Sequence, residues 1–480
     1  MIDHVEARGG AYADSVTLMQ VSKQVSGSDG VNTALVAMAT ELNLDLARGM
    51  GFTAPGDVSA DALLVAIRAD DEVALAAALA VAEQALTARP ASSAATEAPA
   101  RTVASAARLG GNLALISVPG PHAFTEAMDA LEAGCDVMVF SDNVPIDQEV
   151  RLKSAAAERG LLVMGPDCGT AVVGGIGLGF SHSVQPGPVG IVAASGTGCQ
   201  QLLCLLDAAG VGVTAALGVG GRDLSSAVGA RSTMTALDAL DADPATELIV
   251  VVSKPPADDV ARAVRAHADT LDTGVQFAFL GETDLTAAAE AAIAALGAPV
   301  PTWASWAGRP GPPVEPRPGA LRGLFCGGTL CDEAMLIASA ELGAIRSNIA
   351  LRPEDRIGPT ERAPGHVMID FGDDELTAGR PHPMIDQSLR LERLAAEAAD
   401  PGTAVILLDV VLGHGANADP AGELAPLIEA AAVPVVASLI GTGADPQGLE
   451  AQAAALQKAG AHVFASNAQA ARFACGLVAR

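Results

Sequence analysis

The stretch "IVAASGTGCQQLLCLLDAAG" (residues 191–210) decides the fold. Four apolar residues run into Ser195-Gly196-Thr197-Gly198, and a helical pattern follows at once. This reads as a strand turning sharply into a helix. The first turn of such a helix offers unpaired N–H groups at the positive end of the helix dipole, which suits an anion. Glycine also reverses a chain with no ligand involved. One loop therefore decides little, and recurrence of the pattern decides more.

The pattern recurs on both sides of this stretch. From residue 112, short apolar runs alternate with amphipathic helical segments: "LALISVPG", "CDVMVFSD", "LLVMGPDCG", "VGIVAASG", "VTAALGVGG", "ELIVVVSKPP" and "VQFAFLGE". After residue 320 the alternation resumes with "LRGLFCGG", "HVMIDFGD", "AVILLDVVLG", "VPVVASLIG" and "AHVFASN". β-Branched runs separated by helices predict βαβ units and parallel sheets buried on both faces. Residues 88–101, rich in Ala, Ser and Pro, and the Pro-rich residues 299–320 read as linkers. Residues 12–88 read as a small α+β module in which "YADSVTLMQVSKQVSG" is strand-like. The expected class is α/β: three doubly wound, Rossmann- or flavodoxin-like parallel-sheet units behind a small N-terminal module. The expected boundaries are 1–88, 102–184, 185–298 and 320–480.

Composition narrows the function. The chain has 480 residues, half of them hydrophobic and only 3% aromatic, with a net charge of -28. So acidic a surface disfavours nucleic acid and anionic membranes as partners. The N-terminus shows no basic segment leading into an apolar one, and the most apolar helix, "EVALAAALAVAEQALTA", is interrupted by Glu83. Seven irregularly spaced cysteines without a C-x-x-C pair give neither a zinc site nor a disulfide framework. No metal site is expected, and the protein is expected in the cytoplasm with reduced thiols.

Ligands of open parallel sheets bind beyond the carboxyl ends of the strands. Four such ends carry small residues expected to lead into helices: 195–198, 218–223, 327–330 and 412–417. The candidate anion- and substrate-binding residues are accordingly Ser195, Gly196, Thr197, Gly198, Gly220, Gly221, Arg222, Gly327, Gly328, Thr329, Gly413, Gly415 and Ala416. His414 stands inside the last loop, where it is either an exposed loop histidine or a group able to donate a proton. Lys254, one of four lysines, follows a strand and is either a solvated turn residue or a point charge for an anion. Arg380 and His382 in "TAGRPHP" are placed to bind a carboxylate or to dock a neighbouring domain. Cys199, Cys204 and Cys331 read as small core hydrophobes. Asp167 and Cys168 read as structural turn residues.

"GPDCGTAV" (165–172), "GPVGIVAASGTGCQQL" (187–202) and "GVGG" (218–221) resemble the α chain of succinyl-CoA synthetase and related nucleoside-diphosphate-forming acyl-CoA ligases. "GGTLCDEAML", "DFGDDELTAGRPHPMID" and "LDVVLGHGANADPA" resemble the ligase domain of that enzyme's β chain. Fused in one chain behind an extra N-terminal module, they resemble the FdrA family along essentially the whole length. The resemblance implies an acyl-CoA synthetase-type protein or a subunit of an oxamate carbamoyltransferase that works with two further proteins. It departs from the ligases in three ways. "FLGETDLTAAAEAA" stands where they carry a phosphohistidine in Gly-His-Ala-Gly, their Gly-rich coenzyme A loop has no counterpart, and no ATP-grasp module is seen. By resemblance, the helices after 195–198 and after 413–416 aim at one phosphoryl group. The implied ligand is phosphate or carbamoyl phosphate, and coenzyme A is doubtful. His414 and Lys254 are then the catalytic candidates, with Arg380 a substrate ligand. A small-molecule substrate and an oligomeric assembly are expected.

Overall fold

The computed structural model describes residues 1–9, 15–53, 58–59, 62–87, 100, 102–308, 314–377 and 380–479. The 88–101 linker lies almost wholly outside the described residues, as do 309–313 of the second. Two compact units result, Met1–Thr102 with Ala378–Pro381, and Val103–Thr377 with His382–Arg480.

In the first unit, β1 (Ile2–Arg8), α1 (Ser15–Ser26), β2 (Val31–Met38), α2 (Glu41–Gly49), β3 (Leu63–Ala69) and α3 (Glu72–Thr87) follow in order. β3 lies between β1 and β2 and runs antiparallel to both. The strand expected across 12–27 is a helix over Ser15–Ser26. Leu18, Val21 and Val25 are spaced by three and four residues, so they form one buried helical face rather than an alternating one.

The second unit begins with α4 (Val103–Arg108) and holds three sheets. The first is wholly parallel: β4 (Leu113–Ile116), β5 (Asp136–Val139) and β6 (Val163–Met164), joined through α5 (Gly120–Glu132) and α6 (Ile146–Ala157). The hairpin β7 (Thr170–Val173) and β8 (Ile176–Gly179) then joins the second sheet, not the first. The boundary expected at 184/185 thus falls inside a sheet, because β7 pairs antiparallel with β10 (Val213–Gly218). The other strands of this sheet are β9 (Pro186–Ala194), β11 (Leu248–Ser253) and β12 (Gly274–Phe279), and its order is β12-β11-β9-β10-β7-β8. Its helices are α7 (Gly196–Ala208), α8 (Arg231–Asp241), α9 (Asp258–Ala268) and α10 (Leu285–Ala295).

The third sheet has seven strands: β13 (Ser305–Trp306), β14 (Ala320–Phe325), β15 (Ile345–Ser347), β16 (His366–Asp370), β17 (Thr403–Val411), β18 (Val435–Ile440) and β19 (His462–Phe464). All are parallel but β13, which the Pro-rich segment adds antiparallel to β19. That segment is anchored further by Trp303, which is buried and donates its Nε1 proton to Glu290 at 2.8 Å. The helices of this layer are α11 (Gly328–Leu342), α12 (Asp374–Thr377), α13 (Ser388–Ala398), α14 (Pro420–Ala430), α15 (Leu449–Ala459) and α16 (Asn467–Gly476).

Helices cover both faces of the parallel strands, which is why these strands read as unbroken apolar runs. Every residue of β11, β14, β17 and β18 is buried. Each buried Val, Leu or Ile there contributes roughly 1.5–3 kcal/mol relative to exposure. Both large sheets reverse strand order at their centre. From β9 the chain goes to β10 on one side and then to β11 on the other. From β14 it goes to β16 on one side and β17 on the other. Those two switch points are where an open α/β sheet accommodates a ligand.

Candidate functional site

The helices that start at the two switch points, α7 after β9 and α11 after β14, meet end to end. Ser195 caps α7: its Oγ accepts the N–H of Gly198 at 3.0 Å and donates to Oγ1 of Thr329 on α11 at 2.7 Å. Ser195, Thr197 and Thr329 are all buried. The approach is close enough to require glycine on both sides. A Cβ on Gly198 would lie 3.2 Å from Thr329 Cγ2, and one on Gly327 would lie 2.7 Å from Thr197 Cγ2. Gly196 is different: it is exposed, and nothing lies within 4 Å of a Cβ there. Its φ is outside the left-handed region, so a side chain at this position would not strain the backbone.

The partner of the 195–198 loop is therefore 327–329, not 413–416. Only these two of the four strand ends run directly into helices. Residues 224–230 separate the 218–223 loop from α8, and α14 starts at Pro420 with its N-terminus capped by Asp419. The cap Gly327 of α11 has no side-chain cap, and its own N–H is turned inward to Asp409 Oδ2 at 2.9 Å. Asp409 also accepts the Cys326 N–H at 2.8 Å and pairs with Arg390 at 2.8 Å, so a buried ion pair positions the loop from behind. Two positive helix ends in contact favour a dianion.

Charged side chains surround this junction. Lys254, directly after β11, pairs with Asp332 at 3.0 Å. Burial works against its charge, but Asp332 and Asp370 outweigh that and hold its pKa above the ordinary lysine value. Asp370, the last residue of β16, is buried and takes the Gly372 N–H on Oδ1 at 2.9 Å. Its pKa is raised to about 7 by burial, against the lowering pull of Lys254. Asp167 is water-accessible yet walled in by protein, and that enclosure, with Asp374 and Asp142 nearby, raises it to about 7. It is held at φ 58, a conformation few non-glycine residues adopt. His382 is walled in likewise, which depresses it to about 4 and leaves the ring neutral at pH 7. It stacks on Phe180 with ring centroids 5.6 Å apart.

The remaining candidates take other positions. Gly220 packs its backbone on Gly165 and Pro166, while Gly221 faces open space. Arg222 bonds the Val144 carbonyl and pairs with Glu149 at 2.9 Å. Beneath it, the fully buried Lys153 binds Glu149, Asp223 and the Val219 carbonyl at 2.7–2.8 Å, which locks the 219–223 loop. Gly413 and Gly415 pack against Ser181 and Phe180. His414 is exposed, donating its N–H to the Ser181 carbonyl at 2.7 Å with its ring 3.1 Å from Ser183 Oγ. Ala416 lies in the same loop, and Arg380 is exposed. All seven cysteines are free and buried, and burial pushes the thiols of Cys199, Cys204 and Cys331 up.

Asp370 and Asp332 are the residues that sequence reasoning passed over. Asp370 ends a strand beside a switch point, the same positional signal that marks Lys254. Asp332 follows Gly328 by four residues, one helical turn from the loop. Asp167, read as a structural turn residue, proves to be a strongly perturbed carboxylate.

Residues 324–477 match the family model described as CoA-ligase, and residues 1–102 match the one described as AllF, heavy metal-associated domain. A segment is 28% identical over 155 residues to succinate–CoA ligase [ADP-forming] subunit alpha of Methanothermobacter thermautotrophicus, covering 32% of this chain and 52% of that one. The match thus spans about half of that relative. Among solved structures, the dinucleotide-forming acetyl-coenzyme A synthetase 1 of Ca. Korarchaeum cryptofilum, in complex with phosphate and ADP, is similar at 17% identity. It covers 76% of this chain and 82% of its own, at a TM-score of 0.28. Such a score carries no argument, and the fold rests on the strands themselves. Paired ligase-type sheets with a separate N-terminal unit define an acyl-CoA ligase-like protein. The protein YahF of Escherichia coli (strain K12) is 40% identical over 514 aligned residues, 98% of this chain and 96% of YahF. The chain belongs to the FdrA family of succinyl-CoA synthetase-like proteins.

A heavy metal does not fit the first unit. Residues 1–102 hold no cysteine and one histidine, His4, which pairs with Glu6 at 3.4 Å. Among the described residues no group of three or more His, Cys, Asp or Glu could hold a metal ion. No helix of the described residues is long and apolar enough to cross a membrane.

Proposed function

We propose that this protein is a subunit of a carbamoyltransferase that cleaves oxalurate with phosphate, yielding oxamate and carbamoyl phosphate. The observation that carries the reading is the meeting of α7 and α11, N-terminus to N-terminus, with Lys254 beside them. Phosphate would lie against the N–H groups of Gly196 and Thr197 and of the first turn of α11. One phosphate oxygen attacks the carbamoyl carbon, and a tetrahedral oxyanion forms. That oxyanion is stabilised by fixed N–H donors, and the carbon–nitrogen bond to oxamate then breaks. Holding both reactants in place supplies much of the rate. Lys254 would grip a phosphate oxygen or the oxamate carboxylate, and Arg222 is a further candidate substrate ligand. Arg380 remains a candidate substrate ligand. His414 is the weaker catalytic candidate, since its contacts are with Ser181 and Ser183.

Coenzyme A and nucleotide have no step here. The ligases' phosphohistidine position falls in 279–292, which holds no histidine. The reading brings two partner subunits, an oligomeric assembly and a cytoplasmic location with it. The test is to incubate the chain, alone and with its co-encoded partners, with oxalurate and phosphate, and to assay carbamoyl phosphate. The CoA-ligase match over 324–477 favours a second reading, a ligase that borrows missing parts from partners. CoA-dependent nucleotide hydrolysis, or an acid-labile phosphohistidine formed with ATP or GTP, would establish that reading instead. Silence in every mixture would leave a scaffold of the same fold.

A further inference from the structure

We propose that Asp370 is the catalytic acid of this site: its carboxyl holds a proton beside the bound anion and passes it to the nitrogen that leaves. The inference rests on the carbamoyl-transfer reading and adds what that reading lacks. Expulsion of oxamate leaves an electron pair on an amide nitrogen, which needs a proton at the moment the carbon–nitrogen bond breaks. The new bond joins a phosphate oxygen to the carbamoyl carbon, the electrons of the old bond stay on nitrogen, and the Asp370 proton goes there.

The geometry singles out Asp370 among the acids of the cleft. A Cβ built on Gly328, the first residue of α11, would lie 2.7 Å from Asp370 Oδ2 and 3.2 Å from Lys254 Nζ. Oδ2 therefore stands against the helix end where the anion is to bind, while Oδ1 is held by the Gly372 N–H. The side chain is 95% buried by its 5% residual exposure, so its orientation is fixed. The Asn348 side chain clamps its backbone on both sides, accepting from Asp370 N at 2.9 Å and donating to Asp370 O at 2.8 Å.

The charged neighbours decide its protonation. Lys254 comes from the end of β11, Asp332 from α11, Asp409 with its partner Arg390 from β17 and α13, and the neutral His382 from the loop after α12. The thiols of Cys326 and Cys331 are pushed up and stay uncharged. One ammonium thus faces Asp332 and Asp370 together. Burial and the two other aspartates raise Asp370 to about 7 before any ligand arrives. A dianion set against Oδ2 repels the carboxylate form, so binding should draw a proton onto Asp370. Asp167 has a similar pKa but is solvent-exposed, and Asp332 is engaged by Lys254.

The test uses the chain reconstituted with its partner subunits, and D370N, which keeps an acceptor for the Gly372 N–H. Inorganic phosphate is titrated by calorimetry at about pH 8, where it is mostly dianionic, in buffers of different ionisation enthalpy. The parent should take up most of one proton on binding, and D370N none. With oxalurate, D370N should lose roughly a hundredfold or more in turnover together with the alkaline limb of the pH profile. With an aryl carbamate, whose leaving group departs as a stable anion, it should lose little. Equal proton uptake by both proteins, or equal losses on both substrates, overturns the inference. A parent complex that binds phosphate without cleaving oxalurate refutes the carbamoyl reading alone, and the calorimetry then still decides whether Asp370 holds the proton.

Discussion

Replacing Gly196 with leucine separates the anion site from the fold. Gly196 is the first residue of α7, it is exposed, and no atom stands within 4 Å of a Cβ placed there. Its φ is ordinary, so the substitution meets neither a clash nor backbone strain. Exchanging glycine for a better helix former is neutral or stabilising by up to about 1 kcal/mol. The new side chain would instead stand over the free N–H groups at the end of α7. Blocking one hydrogen bond to a charged ligand costs roughly 1.5–3 kcal/mol, or about tenfold to a hundredfold in affinity. Gly327→Ala is the matched contrast. Its Cβ would press on Thr197 Cγ2 at 2.7 Å and Oγ1 at 2.9 Å, forcing the two helix ends apart, and such overpacking costs about 1–3 kcal/mol of stability. Phosphate titration by calorimetry and thermal melting of both variants read the two effects separately. If G196L binds phosphate as tightly as the parent, the turn is only a turn and the anion site lies elsewhere.

Lys153→Met should be among the most damaging changes in the second unit. It removes the one ammonium that Glu149 and Asp223 share inside the protein, at a cost of about 3–5 kcal/mol in urea denaturation, and loosens the loop bearing Arg222. An unchanged midpoint would show that the buried charges find other partners. Glu333 predicts a pH dependence of stability. Burial raises its pKa from the ordinary glutamate value of 4.5 to about 7 although Asn467 and the Leu285 N–H bind it, so the folded state holds a proton that the unfolded state gives up. Its contribution is full below about pH 4.5 and is lost as the pH rises through about 7. The stability of the parent relative to E333Q should fall across that window and stay level above it, and parallel curves would refute the assignment. Thr329→Val should cost about 1–3 kcal/mol, because Ser195 Oγ loses its buried acceptor, and a smaller loss would show that Ser195 turns elsewhere.

The two halves of the site differ in how far the sequence discloses them. The parallel sheets are legible because their strands are buried on both faces, so β11 and β17 read as nearly continuous apolar runs, β17 broken only by Asp409. Helix α1 is not, because a short stretch mixing valine with serine and threonine satisfies a two-residue and a 3.6-residue period almost equally. The hairpin β7–β8 reads as part of the preceding unit because pairing across a boundary leaves no local mark. The loops 195–198 and 327–329 are each visible as Gly-rich strand ends. Their pairing is not, since the bond between Ser195 and Thr329 joins positions 134 residues apart. The raised pKa values of Asp167 and Asp370 lie further still from the sequence. They come from enclosure, which no spacing of residues encodes.

The proposed dianion site depends on two sheets being held in one register, and polar contacts hold them there. Gln201 on α7 accepts the Asn467 N–H at 3.0 Å and donates to the Ala465 carbonyl at 3.1 Å. Asn467 in turn reaches Glu333 on α11 at 2.7 Å, and Glu333 accepts the first N–H of α10 at 2.6 Å. Asp445 adds a second clamp through His182 at 2.7 Å and the Ser183 N–H at 2.8 Å. In a two-chain ligase the corresponding surfaces must first associate, and part of the binding energy is spent on lost rotational and translational freedom. Here the Pro-rich segment makes that step intramolecular, so the helix ends need only the entropy of closing a loop. Apposing two positive helix ends is unfavourable when the site is empty. Clamps buried on both sides of the junction, together with Asp370 and Asp332 beside Lys254, offset that repulsion and keep the helix ends in place for an anion.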